Sequence, residues 1–180
     1  MPDPAADAAL TVDKFDKAPH DRSAFSCGHG PIDNFLKSSL SDQIRSGVVT
    51  AYMATERGGS DVIGFHTLGA PAVRADSGPE RWRRARMPDV PLIHIRVVAV
   101  REDRQGKGIG AALVVDALRK CLAISDRMGA AAVVLDAPRD DRFERRWAFY
   151  ERLGFRALDA PDNPGRAFIS MADVRATLGG

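Results

Sequence analysis

Residues 105–110 read Gln-Gly-Lys-Gly-Ile-Gly, and they follow the β-rich run Val97, Val98, Ala99, Val100 through a charged stretch ending in Arg104. Alternating glycines let the main chain come close to a ligand and adopt dihedral angles that other residues avoid. A helix is expected to start near Gly108. Its first N–H groups lack intrahelical partners and lie at the positive end of the helix dipole. With Arg104, Gln105 and Lys107 beside the glycines, this arrangement suits a phosphate or pyrophosphate. The same glycines would also serve a plain turn ahead of a packed helix. Two nucleotide motifs do not fit. A Walker loop closes on Gly-Lys-Ser/Thr, but Lys107 is followed by Gly108; the spacing of Gly106, Gly108 and Gly110 also differs from G-x-G-x-x-G.

Other reactive side chains are scattered. His20, His29, His66 and His94 show no paired ligand spacing, and Cys27 and Cys121 match no metal pattern, so no metal site is expected. His94 is the least bland of the histidines because it falls on a strongly β-prone run. Cys27 reads as a small buried residue and not as a nucleophile. The phenol of Tyr150 sits between Phe149 and Phe155, where it is either a packing aromatic or a proton donor. Arginines cluster twice. Arg74, Arg81, Arg83, Arg84 and Arg86 face only Asp76 and Glu80, which would either steer a phosphate-rich partner or form an ordinary solvated surface. Arg139, Arg142, Arg145, Arg146 and Arg152 are mixed with acids.

These residues need a scaffold, and 180 residues with 44% apolar and 28% charged content supply one globular domain, expected over residues 10–176 between flexible ends at 1–9 and 177–180. Net charge is +2, which alone says nothing about nucleic acid. No run approaches the roughly 18 apolar residues of a membrane span, and the start lacks a secretory pattern. A cytoplasmic protein with reduced cysteines and no membrane association is the expectation.

Periodicity places a strand near 10–15 and a helix over 30–46 whose apolar positions are Ile32, Phe35, Leu36, Leu40 and Ile44. Strands at 48–55 and 61–68 flank the turn Glu56-Arg57-Gly58-Gly59-Ser60 as a hairpin. A long proline-bearing connection over 69–90 follows, with a helical turn or two at 82–87. The β-branched run 92–100 precedes a helix over 108–128 with a core stripe of Ile109, Leu113, Ala117, Cys121, Ile124 and Met128. A strand at 131–135, a helix at 147–153 and a last strand at 168–171 complete the pattern. Hairpin and crossover connections together imply a mixed α/β sheet with helices on its faces.

Gln105 through Gly110 resembles the Gln/Arg-x-x-Gly-x-Gly/Ala signature of the Gcn5-related N-acetyltransferase (GNAT) superfamily. Phe149-Tyr150-Glu151-Arg152-Leu153-Gly154-Phe155 resembles its C-terminal Phe-Tyr-x-x-x-Gly-Phe segment. The opening Phe25-Ser26-Cys27-Gly28, with Ile32-Asp33-Asn34-Phe35-Leu36, is similar to that of the acetyltransferase toxins of toxin–antitoxin pairs. Gln43-Ile44-Arg45-Ser46-Gly47, Ala51-Tyr52 and Ile63-Gly64-Phe65-His66-Thr67-Leu68 continue the likeness, and Arg96 with Ala99-Val100 keeps the toxins' strand ending. The charged stretch between Asp136 and Phe149 is longer than the usual connection.

The resemblance implies a GNAT fold with a mixed, mostly antiparallel sheet, and acetyl-CoA as cofactor. It implies cofactor contacts from Val98, Ala99, Val100, Arg104, Gln105, Gly106, Lys107, Gly108, Ile109, Gly110 and Ala111. Tyr150 takes the place of the family's catalytic tyrosine, and a phenol of pKa about 10 is matched to protonating a departing thiolate. A backbone N–H of Val98 or Val100 would polarise the acetyl carbonyl. The toxins acetylate the α-amine of aminoacyl-tRNA and block translation. Arg45, Arg83, Arg84, Arg86 and Arg96 are then expected to contact tRNA phosphates. A ribbon-helix-helix antitoxin and a homodimer are the implied partners. The competing readings are an acetyltransferase for a small amine or a protein N-terminus, and a CoA-binding module without catalysis.

Overall fold

The computed structural model describes residues 10–74, 80, 89–160 and 163–178. Strand β1 (Leu10–Lys14) opens the chain. Helix α1 (Gly30–Asn34), a π-helical turn (Phe35–Ser39) and helix α2 (Leu40–Arg45) follow. Strands β2 (Thr50–Glu56), β3 (Gly64–Gly69), β4 (Ala72–Arg74) and β5 (Asp89–Val100) come next. A short 3₁₀ turn (Glu102–Arg104) leads into helix α3 (Ile109–Met128). Strand β6 (Ala132–Asp136), helix α4 (Phe143–Arg152), strands β7 (Arg156–Ala157) and β8 (Arg166–Ser170), and helix α5 (Met171–Leu178) complete the chain. The result is the expected mixed α/β sheet flanked by helices, and β5–β6 is the parallel pair among the described ladders.

The described chain divides into two compact units, with β5 and α3 contributing to both. In the first unit the strand order is β1-β2-β3-β5, and β1–β2 and β2–β3 are antiparallel. The expected hairpin is thus formed, with Tyr52 opposite His66. Phe25, Leu36, Leu40, Met53, Val62 and Phe65 make one core cluster of this unit. Within the helical run the Leu40 N–H reaches back five residues to the Phe35 carbonyl. This wider turn keeps Leu36 and Leu40 both fully buried. Gly47, at φ +73°, ends the run where a left-handed residue is required.

In the second unit the order is β5-β6-β8-β7. Strand β6 buries Ala132, Val133, Val134 and Leu135, as a strand covered on both faces must. The connection over 69–90 contains β4, which pairs antiparallel with the start of β5. The helical turn expected at 82–87 lies outside the described residues, as do Arg81, Arg83, Arg84 and Arg86.

Three local features differ from the sequence expectation. Met128 is 68% exposed and not part of the α3 stripe; Ser125 takes the buried position in the last turn, its hydroxyl bonded to the Leu122 carbonyl. Helix α4 starts at Phe143, not at 147, because Phe143 stacks on Trp147 one turn on, and the Trp147 indole donates to Glu151 a further turn on. Finally, Met171 begins a helix where the last strand was expected to continue: the Ser170 hydroxyl accepts from the Asp173 N–H, the capping geometry that starts α5.

Candidate active site

In the first unit, the loop after β5 is built by its own side chains. Arg101 grips Asp103 with two bonds, of 2.7 and 3.0 Å. Arg104 pairs with Glu56, and Lys107 Nζ donates to the Asp103 carbonyl at 3.2 Å. The Gln105 amide donates to the carbonyls of Val100 (2.9 Å) and Cys27 (3.0 Å). Arg104, Gln105 and Lys107 are expected cofactor contacts. In the structure their side chains bond within and around the loop, and the glycines add main-chain surface beside them.

That main chain is suited to a pyrophosphate. Gly106 and Gly108 have φ of +76° and +80°, and a Cβ built on either meets nothing within 4 Å. The backbone is therefore bent in a left-handed sense with open space on the side where a side chain would stand. The Ala112 N–H bonds to the Gly108 carbonyl at 3.1 Å, beginning the α3 ladder, so the N–H groups of residues 108–111 precede it. Ile109 is buried against Ala54, Ile63 and Leu113, which fixes the helix end while leaving its N–H groups for a ligand. These features fit the diphosphate of a CoA carrier.

The strand ending is also ordered. Val98 and Val100 pack toward the Ile63–Leu113 cluster, and Ala99 packs toward the Phe25–Phe65 cluster. Gly64 is needed beside it, because a Cβ there would sit 2.9 Å from Leu113 Cδ1 and 3.1 Å from the Ala99 carbonyl. The 25–30 segment, which the sequence singled out only by resemblance, braces the same loop. Asp33 accepts from the Cys27 N–H at 2.8 Å and from the Ser26 hydroxyl at 3.0 Å. Gly28, at φ +80°, leaves room for the Glu102 carboxylate, 3.2 Å from where its Cβ would be. Cys27 and Cys121 are free thiols; burial pushes them up to about 11 and about 12, so neither is a nucleophile at neutral pH.

Tyr150 lies in the second unit, on the last turns of α4. Its ring is buried, tilted against Phe149 at 5.2 Å and edge-on to Phe155 at 5.9 Å. Burial raises its pKa, and nearby Arg146 only partly opposes this, so the phenol stays protonated across the physiological range. Arg146 is anchored by two 3.1 Å bonds to Asp140 and one of 2.7 Å to the Pro138 carbonyl. The charged stretch 137–146 is thus organised and not a loose insertion.

His94, Asp136 and Arg166 form a half-buried group in this second unit. Burial works to raise the Asp136 pKa, but two bonds from Arg166 (2.7 and 2.9 Å) and the adjacent His94 outweigh it and hold the carboxylate well below its usual range. His94 Nε2 lies 3.2 Å from an Asp136 carboxylate oxygen and helps keep that carboxylate deprotonated. Sequence reading named His94 but missed its partners, which lie more than forty residues away along the chain. Of the arginines expected to meet a substrate, Arg45 is exposed and paired with Asp42 at 3.1 Å, and Arg96 is exposed with its stem over Gly69. Among the described residues no group of His, Cys, Asp or Glu could hold a metal, and no helix is long and apolar enough to cross a membrane.

Residues 50–157 match the acetyltransferase (GNAT) domain family. The chain is 31% identical over 177 residues to a probable toxin TacT of Sinorhizobium fredii, covering 96% of this chain and 97% of that one. It is 34% identical over 161 residues to a tRNA-acetylating toxin of Mycobacterium tuberculosis, covering 88% and 91%. A solved structure of a tyrosine-to-phenylalanine mutant of AtaT, bound to the C-terminus of the antitoxin AtaR and acetyl-CoA, superimposes with a TM-score of 0.78 at 24% identity, over 95% of this chain and 99% of that one.

Proposed function

The chain belongs to the GNAT acetyltransferase family, and we propose that it transfers acetyl from acetyl-CoA to the α-amine of an amino acid carried on tRNA, blocking translation as the toxin of a toxin–antitoxin pair. The acceptor reading is supported above all by the near full-length relation to a protein described as a tRNA-acetylating toxin. The cofactor reading is supported by the left-handed Gly106 and Gly108 with open space beside them.

Acetyl-CoA, when bound, supplies an activated acetyl thioester. The N–H groups at the start of α3 would hold its diphosphate, with Gly106 and Gly108 allowing the close approach. A backbone N–H of Val98 or Val100 would polarise the acetyl carbonyl as charge develops on its oxygen. Tyr150, kept protonated by burial, would supply the proton taken up by the departing thiolate, while the proton released from the acylated nitrogen would pass to water. No strong base is required, because an α-amine of pKa about 7.7 is already partly neutral at pH 7, whereas a lysine near 10.4 is not. Arg45 and Arg96, with Arg83, Arg84 and Arg86, are assigned to tRNA phosphates as positioning contacts that read no bases.

A ribbon-helix-helix antitoxin as partner and a homodimer in the cytoplasm complete the proposal. The deciding assay supplies acetyl-CoA with a set of tRNAs charged with different amino acids, beside a panel of free amines and peptide N-termini. Acetylation confined to charged tRNA supports the reading. Turnover on free amines alone replaces it with a small-molecule acetyltransferase, and cofactor binding without any turnover replaces it with a silent module.

A further inference from the structure

On the first unit, an open cavity of about 620 Å³ is lined by Lys17, Ala18, His20, Asp21, Arg22, Ser23, Lys37 and Ser60. None of these residues belongs to the acetyl-transfer machinery described above. Among the lining residues Lys17, Arg22 and Lys37 are basic and Asp21 is acidic, its Oδ1 already accepting the Ser23 N–H at 2.8 Å; at the rim Asp16 accepts from the Ala18 N–H and Asp33 interacts with Lys37. The excess of basic over acidic side chains in the lining itself favours an anion there.

Arg22 is fixed in place. Its Nη1 donates to the Leu36 carbonyl at 2.6 Å, and its guanidinium lies 4.9 Å above the Phe15 ring. His20 stacks on the Phe15 ring at 6.0 Å and is oriented by the Asp16 backbone at Nδ1. The remaining Arg22 donors are pre-oriented with little entropy left to lose. Lys17 and Lys37 are exposed and can swing onto a bound group. Ser23 and Ser60 add hydroxyl donors to the rim. A rigid guanidinium, two mobile ammonium groups and two hydroxyls form a set of donors matched to a tetrahedral oxyanion.

We propose that this cavity binds a backbone phosphate of the RNA substrate, a second contact point separate from the arginines assigned above. The inference rests on the nucleic-acid reading of the acceptor. Its function would be to add affinity and register for the RNA without taking part in acetyl transfer.

The test uses the full chain and uncharged tRNA, so that binding is read without chemistry. In Lys17→Gln with Lys37→Gln, the tRNA Kd is expected to rise about tenfold, and the slope of log K against log salt to shrink by about 1. Acetyl-CoA affinity should be unchanged, which also verifies the fold. A matched pair on α3, Arg119→Gln with Arg127→Gln, removes the same charge elsewhere and should bind tRNA nearly as the wild type does. The proposal is overturned if both pairs weaken binding equally, if the cavity pair binds tRNA normally, or if the wild type binds no tRNA. Inorganic phosphate provides the last arm. Phosphate binding lost in the cavity pair, with tRNA binding unaltered, would assign the cavity to a small phosphate ligand instead. Failure of the acetyltransferase reading looks different: wild type would leave every aminoacyl-tRNA unacetylated while the Lys17 and Lys37 dependence of tRNA binding persisted.

Discussion

The side-chain amide of Gln105 donates at 3.0 Å to the main-chain carbonyl of Cys27, joining the glycine-rich loop to a turn 78 residues earlier in the chain. A second bond of 2.9 Å from the same nitrogen to Val100 makes Gln105 a clamp between strand end, loop and turn. Removing it by Gln105→Ala leaves two carbonyls short of a donor, at about 1 kcal/mol each. Acetyl-CoA affinity should then fall about five- to tenfold as the loop loosens, measurable by calorimetry. An unchanged affinity would mean that the loop keeps its shape without the clamp.

Gly108→Ala tests the cradle itself. At φ +80° a Cβ costs about 1 kcal/mol or more of backbone strain, and it projects into the open space beside the loop. The expected outcome is a loss of acetyl-CoA binding of at least about tenfold, larger than the fall in stability alone accounts for. Equal acetyl-CoA affinity in variant and wild type would remove the loop from the cofactor site.

Tyr150→Phe keeps the ring against Phe149 and Phe155 and deletes only the hydroxyl. Turnover should drop about 10²- to 10⁴-fold with acetyl-CoA affinity preserved, as expected for a proton donor. Turnover within a factor of about two of wild type would end the general-acid assignment while leaving the family intact.

The rate should rise with pH as the acceptor α-amine deprotonates near about 7.7. Because burial holds the Tyr150 pKa above its ordinary value, the alkaline fall caused by losing its proton belongs above pH about 10. A rate–pH profile on a pre-charged substrate would show it. An alkaline limb below pH 9 that disappears in Tyr150→Phe would contradict the buried, neutral phenol.

Asp136→Asn removes the carboxylate gripped twice by Arg166. A loss of about 2–3 kcal/mol is expected, since bonds to charged groups are the strong ones and Arg166 is left half-buried without its anion. The sign of the pH effect follows from the depressed pKa. Asp136 binds its proton more weakly folded than unfolded, so its contribution is present above pH about 4 and is lost as pH falls below that value. Denaturant titrations at pH 7 and pH 3 should therefore show the variant's deficit shrinking in acid.

The sequence alone determined the parts whose signals are local. The glycine turn at Gly106 and Gly108 ahead of an apolar-periodic helix was legible, because dihedral freedom and periodicity are properties of a few adjacent residues. The hairpin around residues 56–60 and the strand–helix–strand of β5, α3 and β6 were legible from periodicity for the same reason. Tyr150 gained its meaning from the order of two motifs, while its neutral state required the burial seen only in the fold. Tertiary structure alone decided that the side chains of Gln105, Arg104 and Lys107 brace the loop, since their partners at Cys27, Glu56 and Asp103 depend on how distant segments meet. It also decided that Lys17, Arg22 and Lys37 line one cavity. No periodicity connects those three residues; only a folded chain, by fixing Arg22 on Leu36 and Phe15, turns separate charges into one anion site.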